Sequence, residues 1–490
     1  MPVPKLSQAT TVAKRLAGSR DDWRLHRPER PALPHAGIHW IGPIVAIGSV
    51  LTGWFAFANA VGDDGVGFAL FIGAASILLM AWSNLLSTRA LFLEKFFGGL
   101  DRMYRWHRWY GAIAVGAMWL HIENVDDVKG IRGASKNIAD AAEDLAETGS
   151  TLLYILVAIS LLRWLPTRWW RLSHKLLVLP YAFACWHFYT STKPYANNSP
   201  WGWWFTGFMI LGLAAWVYRV IWRDMIKRGS RYRVSDIAKA GETLTIELEP
   251  LGNAIEPRPG QFAFLKFSKR GLTEPHPFTI ASSPKEGVLR FLIRDLGDWT
   301  HNLMQSVQLG DRVIVEGPYG SLHPLPSDPS AKTVWIAGGV GITPFLAALQ
   351  SLTSSRVEKP TLFYCIRSRD DGPGLSALQQ AANDGLINLH LHVSSEGTRL
   401  KPEDIIRSVG KVRSVGKEGL VGAHAVMCGP SPLIRAIRPL LQSNGVSQVH
   451  VEAFDIRTGI GPDLSVDIEL LVKQARQRVS VRRAHDPTNI

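Results

Sequence analysis

At 490 residues the chain is long enough for two to four domains, and its 46% hydrophobic content averages a very apolar N-terminal half with an ordinary polar C-terminal half. The net charge of +13 raises the possibility of nucleic-acid binding, but much of the excess stands beside the apolar stretches, where it orients them in a membrane, so no nucleic-acid partner is expected. Cys185, Cys365 and Cys428 are scattered and lack CxxC spacing, which argues against a disulfide framework, a structural zinc site and an iron–sulfur cluster.

Residues 1–37 are basic and contain prolines but have no apolar core or cleavage site, so they are expected to form a cytoplasmic tail rather than a secretory signal. Six apolar segments follow, at about 38–60, 66–86, 104–123, 150–166, 172–191 and 201–222. At about 1.5 Å rise per residue, roughly 20 residues cross a bilayer, and a six-helix transmembrane bundle over 38–222 is predicted. Most of the tryptophans fall between Trp106 and Trp222, as expected where indoles populate membrane interfaces. Arg89, Lys95 and Arg102 follow the second segment, Arg163, Arg168 and Arg171 the fourth, and Arg223, Lys227 and Arg228 the sixth, whereas the connection after the third carries Asp126, Asp127, Asp140, Glu143, Asp144 and Glu147. By the positive-inside rule both termini are cytoplasmic, and the third and fifth segments run in the same direction.

Those two segments each carry one histidine near either end. Thirteen residues separate His107 from His121, and twelve separate His174 from His187. In a helix each spacing is about 20 Å along the axis, which suits two metal centres at different depths. Side by side and parallel, the helices pair His107 with His174 and His121 with His187. Neutral imidazole is a common axial ligand of haem iron, and ionisable groups inside a membrane are costly without a partner, so two stacked bis-histidine haems are predicted. At about 100° per residue, fourteen steps return nearly to one face while thirteen miss it by roughly 140°; Pro180, between the second pair, is expected to kink that helix.

After Gly229 the texture changes to short alternating strands at Tyr232–Lys239, Glu242–Glu249, Gln261–Phe267, Phe278–Ser282, Val288–Arg294 and Arg312–Glu316, the pattern of a small antiparallel β-barrel over 230–325. From Thr333 the rhythm becomes strand, helix, strand, with strands at TVWIAGG, TLFYCIRS, INLHLHV, HAVMCGP and QVHVEAF and helices from Pro344, near Leu375–Asp384 and at Pro432–Ser443. That alternation predicts a doubly wound α/β nucleotide-binding domain over 326–456. Residues 457–490 read as a polar, basic tail with one amphipathic helical stretch near Ser465–Gln477. In GGVGITPF, Gly338 to Phe345, the glycines Gly339 and Gly341 allow close backbone approach to a pyrophosphate. Thr343 is placed to cap the helix and Pro344 suits its first position.

Several motifs then occur in one order. They are His276-Pro277-Phe278-Thr279, Ser282-Ser283-Pro284, Ile293-Arg294 with Gly297-Asp298-Trp299-Thr300, Glu316-Gly317-Pro318-Tyr319-Gly320, GGVGITPF, Cys428-Gly429-Pro430 and Glu452-Ala453-Phe454. This series resembles the NADPH oxidase/ferric reductase superfamily over about residues 38–454, with a soluble part similar to ferredoxin-NADP reductase-like modules. The resemblance implies a multidomain flavohaem oxidoreductase of a bacterial inner (cell) membrane, with its FAD and NADPH domains cytoplasmic. It assigns His107, His121, His174 and His187 to two b-type haems, and His276, Pro277, Phe278, Thr279, Ser282, Arg294, Gly297 and a helix starting at Thr300 to FAD. Gly338, Gly339, Gly341, Thr343 and Pro344 would hold the NADPH pyrophosphate; Cys428, Gly429 and Pro430 would meet the nicotinamide, and Phe454 would cover the flavin ring, so Cys428 and Phe454 stand closest to hydride transfer. The chain continues 36 residues beyond Phe454.

At the end of the second parallel strand stand Arg367, Ser368 and Arg369, with Asp370 and Asp371 only afterwards. A guanidinium forms bidentate bonds to phosphate, so NADPH is favoured over NADH. The expected path runs from NADPH through FAD and the two haems to dioxygen outside, because the thirteen-then-twelve spacing looks more like NADPH oxidases than yeast-type ferric reductases. The alternatives are a ferric chelate as acceptor and, in another class, a non-enzymatic haem membrane sensor.

Overall fold

The computed structural model describes residues 38–58, 66–124, 130–162, 165–226, 229–283, 287–352, 357–410, 420–446 and 448–453. The expectations for 1–37, Pro284, Phe454 and 457–490, including the amphipathic stretch, lie outside them. The described residues form two compact units, one ending at Ile226 and the other running from Gly229.

The first unit is helical. Its elements are α1 (Ile41–Thr52, followed by the short helix Phe55–Ala58), α2 (Val66–Ser87), α3 (Leu91–Phe97), α4 (Leu100–Asn124), α5 (Lys136–Leu161), α6 (Thr167–Lys175), α7 (Val178–Thr190) and α8 (Pro200–Val217), which runs on as a wider π-helical stretch, Tyr218–Ile226. Helix therefore occurs at all six predicted segments, but six uniform spans are not what is observed. Among the described residues four helices are long and apolar enough to cross a membrane: Ile41–Ala58, Val66–Ser87, Lys136–Leu161 and Pro200–Asp224. The third segment, α4, has the length at 25 residues, yet Arg102, Arg105 and Arg108 and its His, Trp and Tyr side chains lower its apolarity. The fifth is two helices, α6 and α7, broken at Leu176–Leu177 rather than kinked at Pro180. Proline is tolerated in the first turn of a helix because its missing N–H has no intrahelical acceptor there, and Pro180 occupies the third residue of α7.

Close packing at the centre of this unit depends on small residues. Tyr181 of α7 is 1% exposed and its hydroxyl donates to Phe208 O and Met209 O at 3.4 Å each. A Cβ on Gly212 would strike that hydroxyl and stand 2.9 Å from Ala81 Cα, so α2, α7 and α8 meet only because glycine is there. A two-stranded antiparallel ribbon, β1 (Ile131–Arg132) with β2 (Thr192–Lys193), pairs Ile131 with Lys193. It joins the segments that leave the C-terminal ends of α4 and α7, so these two helices end at the same face and run in the same direction, as the charge pattern predicted.

The second unit begins with a six-stranded antiparallel sheet: β3 (Ser230–Ala240), β4 (Thr243–Pro250), β5 (Phe262–Phe267), β6 (His276–Thr279), β7 (Leu289–Arg294) and β8 (Arg312–Tyr319), in the order β6-β5-β8-β3-β4-β7. Alternation puts Leu244, Ile246 and Leu248 of β4 inside. The predicted barrel is corrected to a curled, incompletely closed sheet. Its edge strands approach through the single bridge Ile280 to Phe291 and the bond from Ala281 N to Arg290 O, 2.8 Å, rather than through a continuous ladder. Pro277 is accommodated because β6 is an edge, where a missing donor is tolerated. The helix α9 (Asp298–Ser306) begins at Asp298, two residues before the predicted start at Thr300.

The remaining strands, β9 (Thr333–Gly338), β10 (Thr361–Ile366), β11 (Asn388–Val393), β12 (His424–Gly429) and β13 (Gln448–Ala453), form a parallel sheet ordered β11-β10-β9-β12-β13. Every residue of β9 and β12 is buried, as expected of central strands covered on both faces by helices. Those helices are α10 (Thr343–Leu349), α11 (Leu375–Asn383), α12 (Pro402–Gly410), which is not among the predicted helices, and α13 (Ser431–Ser443). Burial of a residue such as Phe345, fully enclosed against Trp335 at 5.1 Å between rings, contributes about 1.5–3 kcal/mol.

Candidate functional site

In the helical unit the structure brings His107 and His174 together. The rings of His107 on α4 and His174 on α6 lie 6.0 Å apart between centroids, at 68°. His121 on α4 and His187 on α7 both stand near the helix ends from which the β1–β2 ribbon segments leave. Three of the imidazoles are oriented by their Nδ1 atoms. His107 Nδ1 stands 2.8 Å from both Ser83 O and Ser83 Oγ on α2, His121 Nδ1 2.9 Å from Ala69 O on α2, and His174 Nδ1 3.3 Å from Ser160 Oγ on α5. A ring N–H held by a carbonyl fixes the tautomer and leaves Nε2 with its lone pair, the arrangement a metal ligand requires. His187 Nδ1 is buried without a hydrogen-bond partner among the described residues.

Gly73 of α2 lets His121 approach: a Cβ there would lie 2.7 Å from Nδ1. The break in the fifth segment bears on the angular mismatch, because His174 and His187 sit on separate helices and need not share one helical face. Among the described residues no group of three or more His, Cys, Asp or Glu side chains is placed to hold a metal ion. Two imidazoles alone leave a metal's coordination incomplete, so a pair of this kind suits a group that brings its own equatorial ligands. Ser83, Ala69, Ser160 and Gly73 were not singled out from sequence; the only available signal was small residues inside otherwise bulky apolar spans.

In the second unit, Arg294 at the end of β7 pairs with Glu242, Nη2 to Oε2 2.7 Å, and its Nη1 stands 3.8 Å from where a Cβ on Gly339 would lie. The sheet's arginine and the glycine turn are therefore neighbours. Thr300 Oγ1 accepts from Leu296 N and Gly297 N at 2.9 and 3.0 Å and donates to Gly297 O, closing the start of α9. The backbone of Gly297 is extended, and a side chain there would meet open space, so no local steric demand explains that glycine. Ser282 Oγ accepts from Arg290 N at 3.0 Å and helps hold the seam between the edge strands. Trp299 stacks on His276 at 4.4 Å and on Phe278 at 5.7 Å. Its Nε1 and Thr279 Oγ1 are buried without hydrogen-bond partners among the described residues. Two unspent buried polar atoms beside a stacked aromatic group are the features a polar, planar ligand would satisfy. Trp299 was legible only as part of its motif.

The glycine turn and the Cys428-Gly429-Pro430 turn interlock. A Cβ on Gly338 would lie 2.7 Å from Pro430 Cδ, and one on Gly341 would strike Cys428 O. Gly339 adopts φ +54°, a left-handed conformation that suits glycine. A 3₁₀ turn, Gly339–Ile342, precedes α10, so Pro344 is its second residue rather than its first. Thr343 donates from Oγ1 to Val340 O at 2.9 Å and does not cap the helix. Both turns stand at the carboxyl ends of β9 and β12, where the strand order reverses and ligands of open α/β sheets bind. Cys428 is 1% exposed, and burial, with Glu452 opposite it on β13, holds its thiol well above the usual range, so it stays protonated.

After β10, Arg367 is exposed, Ser368 Oγ donates to Asp371 Oδ2 at 3.0 Å, and Arg369 grips Glu396 with two bonds of 2.7 and 3.1 Å. Arg369 thus pairs with Glu396 rather than with its neighbouring aspartates. The hydrogen bonds from Arg369 lower the Glu396 carboxyl below its usual range.

Three family models match in succession: a ferric reductase like transmembrane component over residues 72–185, an FAD-binding domain over 232–323 and an oxidoreductase NAD-binding domain over 335–439. The carnitine monooxygenase reductase subunit of Escherichia coli is 32% identical over 161 residues, 32% of this chain and 46% of that protein. NADPH oxidase 1 of Mus musculus is 31% identical over 111 residues, 22% of this chain and 19% of that protein. The chain spans 46–61% of the length of the first curated relatives it matches. Among solved structures, a cytochrome P450 reductase from Amycolatopsis aligns with a TM-score of 0.40 at 21% identity over 46% of this chain and 69% of that one. A transmembrane match of the ferric reductase type followed in order by FAD- and NAD-binding matches, with NADPH oxidase 1 among the relatives, places the chain in the NADPH oxidase/ferric reductase superfamily.

Proposed function

We propose that the protein is a transmembrane oxidoreductase that takes hydride from NADPH at its second unit and delivers single electrons to an acceptor across the membrane. The observation that carries this reading is the spacing of the His107–His174 pair. A metal–nitrogen bond of about 2 Å on each side of a shared ion sets two imidazole centroids roughly 6 Å apart, and the rings stand at 6.0 Å. His107 with His174 and His121 with His187 would hold two b-type haems through Nε2, while the α2 and α5 partners keep Nδ1 of His107, His121 and His174 occupied. His276 to Thr279, Ser282, Arg294, Gly297 and Thr300 would line the FAD site, with Thr279 Oγ1 and Trp299 Nε1 as unspent polar atoms toward it.

Bound FAD would split the two electrons of a hydride into single electrons of the kind haem iron accepts. The chain's own residues bind, orient and exclude water. The turn at Gly338 to Pro344 would present backbone N–H groups to the NADPH pyrophosphate, and the Cys428 to Pro430 turn interlocked with it would meet the nicotinamide. The buried Cys428 thiol would pack against the nicotinamide as a neutral group. At the ribose, Arg367, Ser368 and Arg369 would accept the 2′-phosphate of NADPH, Arg369 exchanging Glu396 for phosphate. The histidine spacing and the similarity to NADPH oxidase 1 favour dioxygen as acceptor and superoxide as product. The match to a ferric reductase like transmembrane component supports a second reading, a ferric chelate. NADPH consumption followed with superoxide dismutase-sensitive cytochrome c reduction, beside a ferric-chelate assay, separates the two. Dismutase-insensitive signal with rapid chelate reduction would overturn the dioxygen reading.

A further inference from the structure

Lys193 of β2 is a buried cation, 2% exposed, with no carboxylate paired to it among the described residues. Its Nζ donates to Phe188 O at 2.8 Å, Tyr189 O at 3.0 Å and Ser191 O at 3.2 Å, and lies 5.4 Å from the centre of the Phe188 ring. The first two are among the last carbonyls of α7 and the third is that of its C-cap, Ser191, at the negative end of the helix dipole. The surroundings are built to keep it there. A Cβ on Gly130 would lie 2.5 Å from Lys193 O, one on Gly133 would strike Tyr189 O, and Asn197 Nδ2 donates to Tyr189 O at 2.9 Å. Burying an ammonium without a counter-ion is costly, and this one is held 2.8 Å from the carbonyl of Phe188, the residue next to His187.

We infer that Lys193 is a positioning residue for His187: it clamps the last turn of α7 and fixes a positive charge that raises the reduction potential of the group His121 and His187 hold. The inference rests on the haem assignment proposed above. A haem loses one positive charge on reduction, so a nearby fixed cation in a low-dielectric site favours the reduced form.

The test uses the full chain, purified with its haem, in optical redox titration without NADPH, together with haem content and amide exchange over residues 188–191. Lys193→Gln is expected to make the reduction equilibrium of one haem about tenfold less favourable, about 59 mV for one electron. The other potential stays in place and exchange over 188–191 quickens. Lys193→Arg, which keeps the charge, restores the potential, and loss of that one haem in Lys193→Gln also supports the inference. Unchanged potentials, equal shifts at both haems, equal behaviour of the Gln and Arg variants, or loss of both haems would overturn it. A wild-type protein that binds no haem refutes the haem assignment itself, a result separate from any behaviour of the variants.

Discussion

At the scale of single residues the nucleotide site gives the sharpest expectation. Arg369 is engaged by Glu396, so a 2′-phosphate has to displace a carboxylate to reach it. Replacing Arg367 and Arg369 together by Ala should raise KM for NADPH about tenfold or more, corresponding to about 1.5 kcal/mol of charge-assisted bonding, while KM for NADH barely moves. Glu396→Gln should shift KM for NADPH in the opposite direction by releasing the fork. Steady-state kinetics with both nucleotides checks each variant, and equal effects on NADPH and NADH would remove the 2′-phosphate from this corner. The arginines themselves were legible in the sequence because they follow a predicted parallel strand. Glu396 was not, since it lies 27 residues further on and reaches Arg369 only through the fold.

At the scale of elements, strong periodicity marks a segment in the sequence, whereas the fit of two segments to one another leaves no local pattern. All six strands of the first sheet and all five of the second were foreseen, because β-branched and aromatic runs punctuated by Gly and Pro have few other uses. Closure of the first sheet depends on pairing between Ile280 and Phe291, which no local pattern reports. The break before α7 was displaced from the expected site because a proline can begin a helix as readily as bend one. The most exposed test of helix fit is Gly73. Gly73→Val should push the His121 ring off its bond to Ala69 O and lower haem content towards half. Gly48→Ala in α1, where a Cβ meets nothing within 4 Å, should leave it unchanged. Pyridine haemochrome assay of the two variants decides, and full haem content in Gly73→Val would contradict the packing argument.

At the scale of the whole molecule, the account joins a nucleotide-binding unit to a helical unit with two histidine pairs, and each part has its own readout. The residues proposed for NADPH and FAD belong to the second unit, and the histidines proposed as haem ligands to the first. His121→Ala should therefore remove one haem yet leave NADPH-to-flavin transfer measurable by flavin bleaching, because the nucleotide and flavin sites do not use that imidazole. Retention of two haems with an unaltered low-spin spectrum would mean that His121 is not a ligand. The central claim is the continuous electron path, and anaerobic addition of NADPH to the purified full chain tests it most directly. The account predicts flavin bleaching followed by the reduced spectrum of both haems in the wild type, and bleached flavin with blocked haem reduction in His107→Ala. A wild-type protein whose flavin is reduced by NADPH while both haems stay oxidised would contradict it.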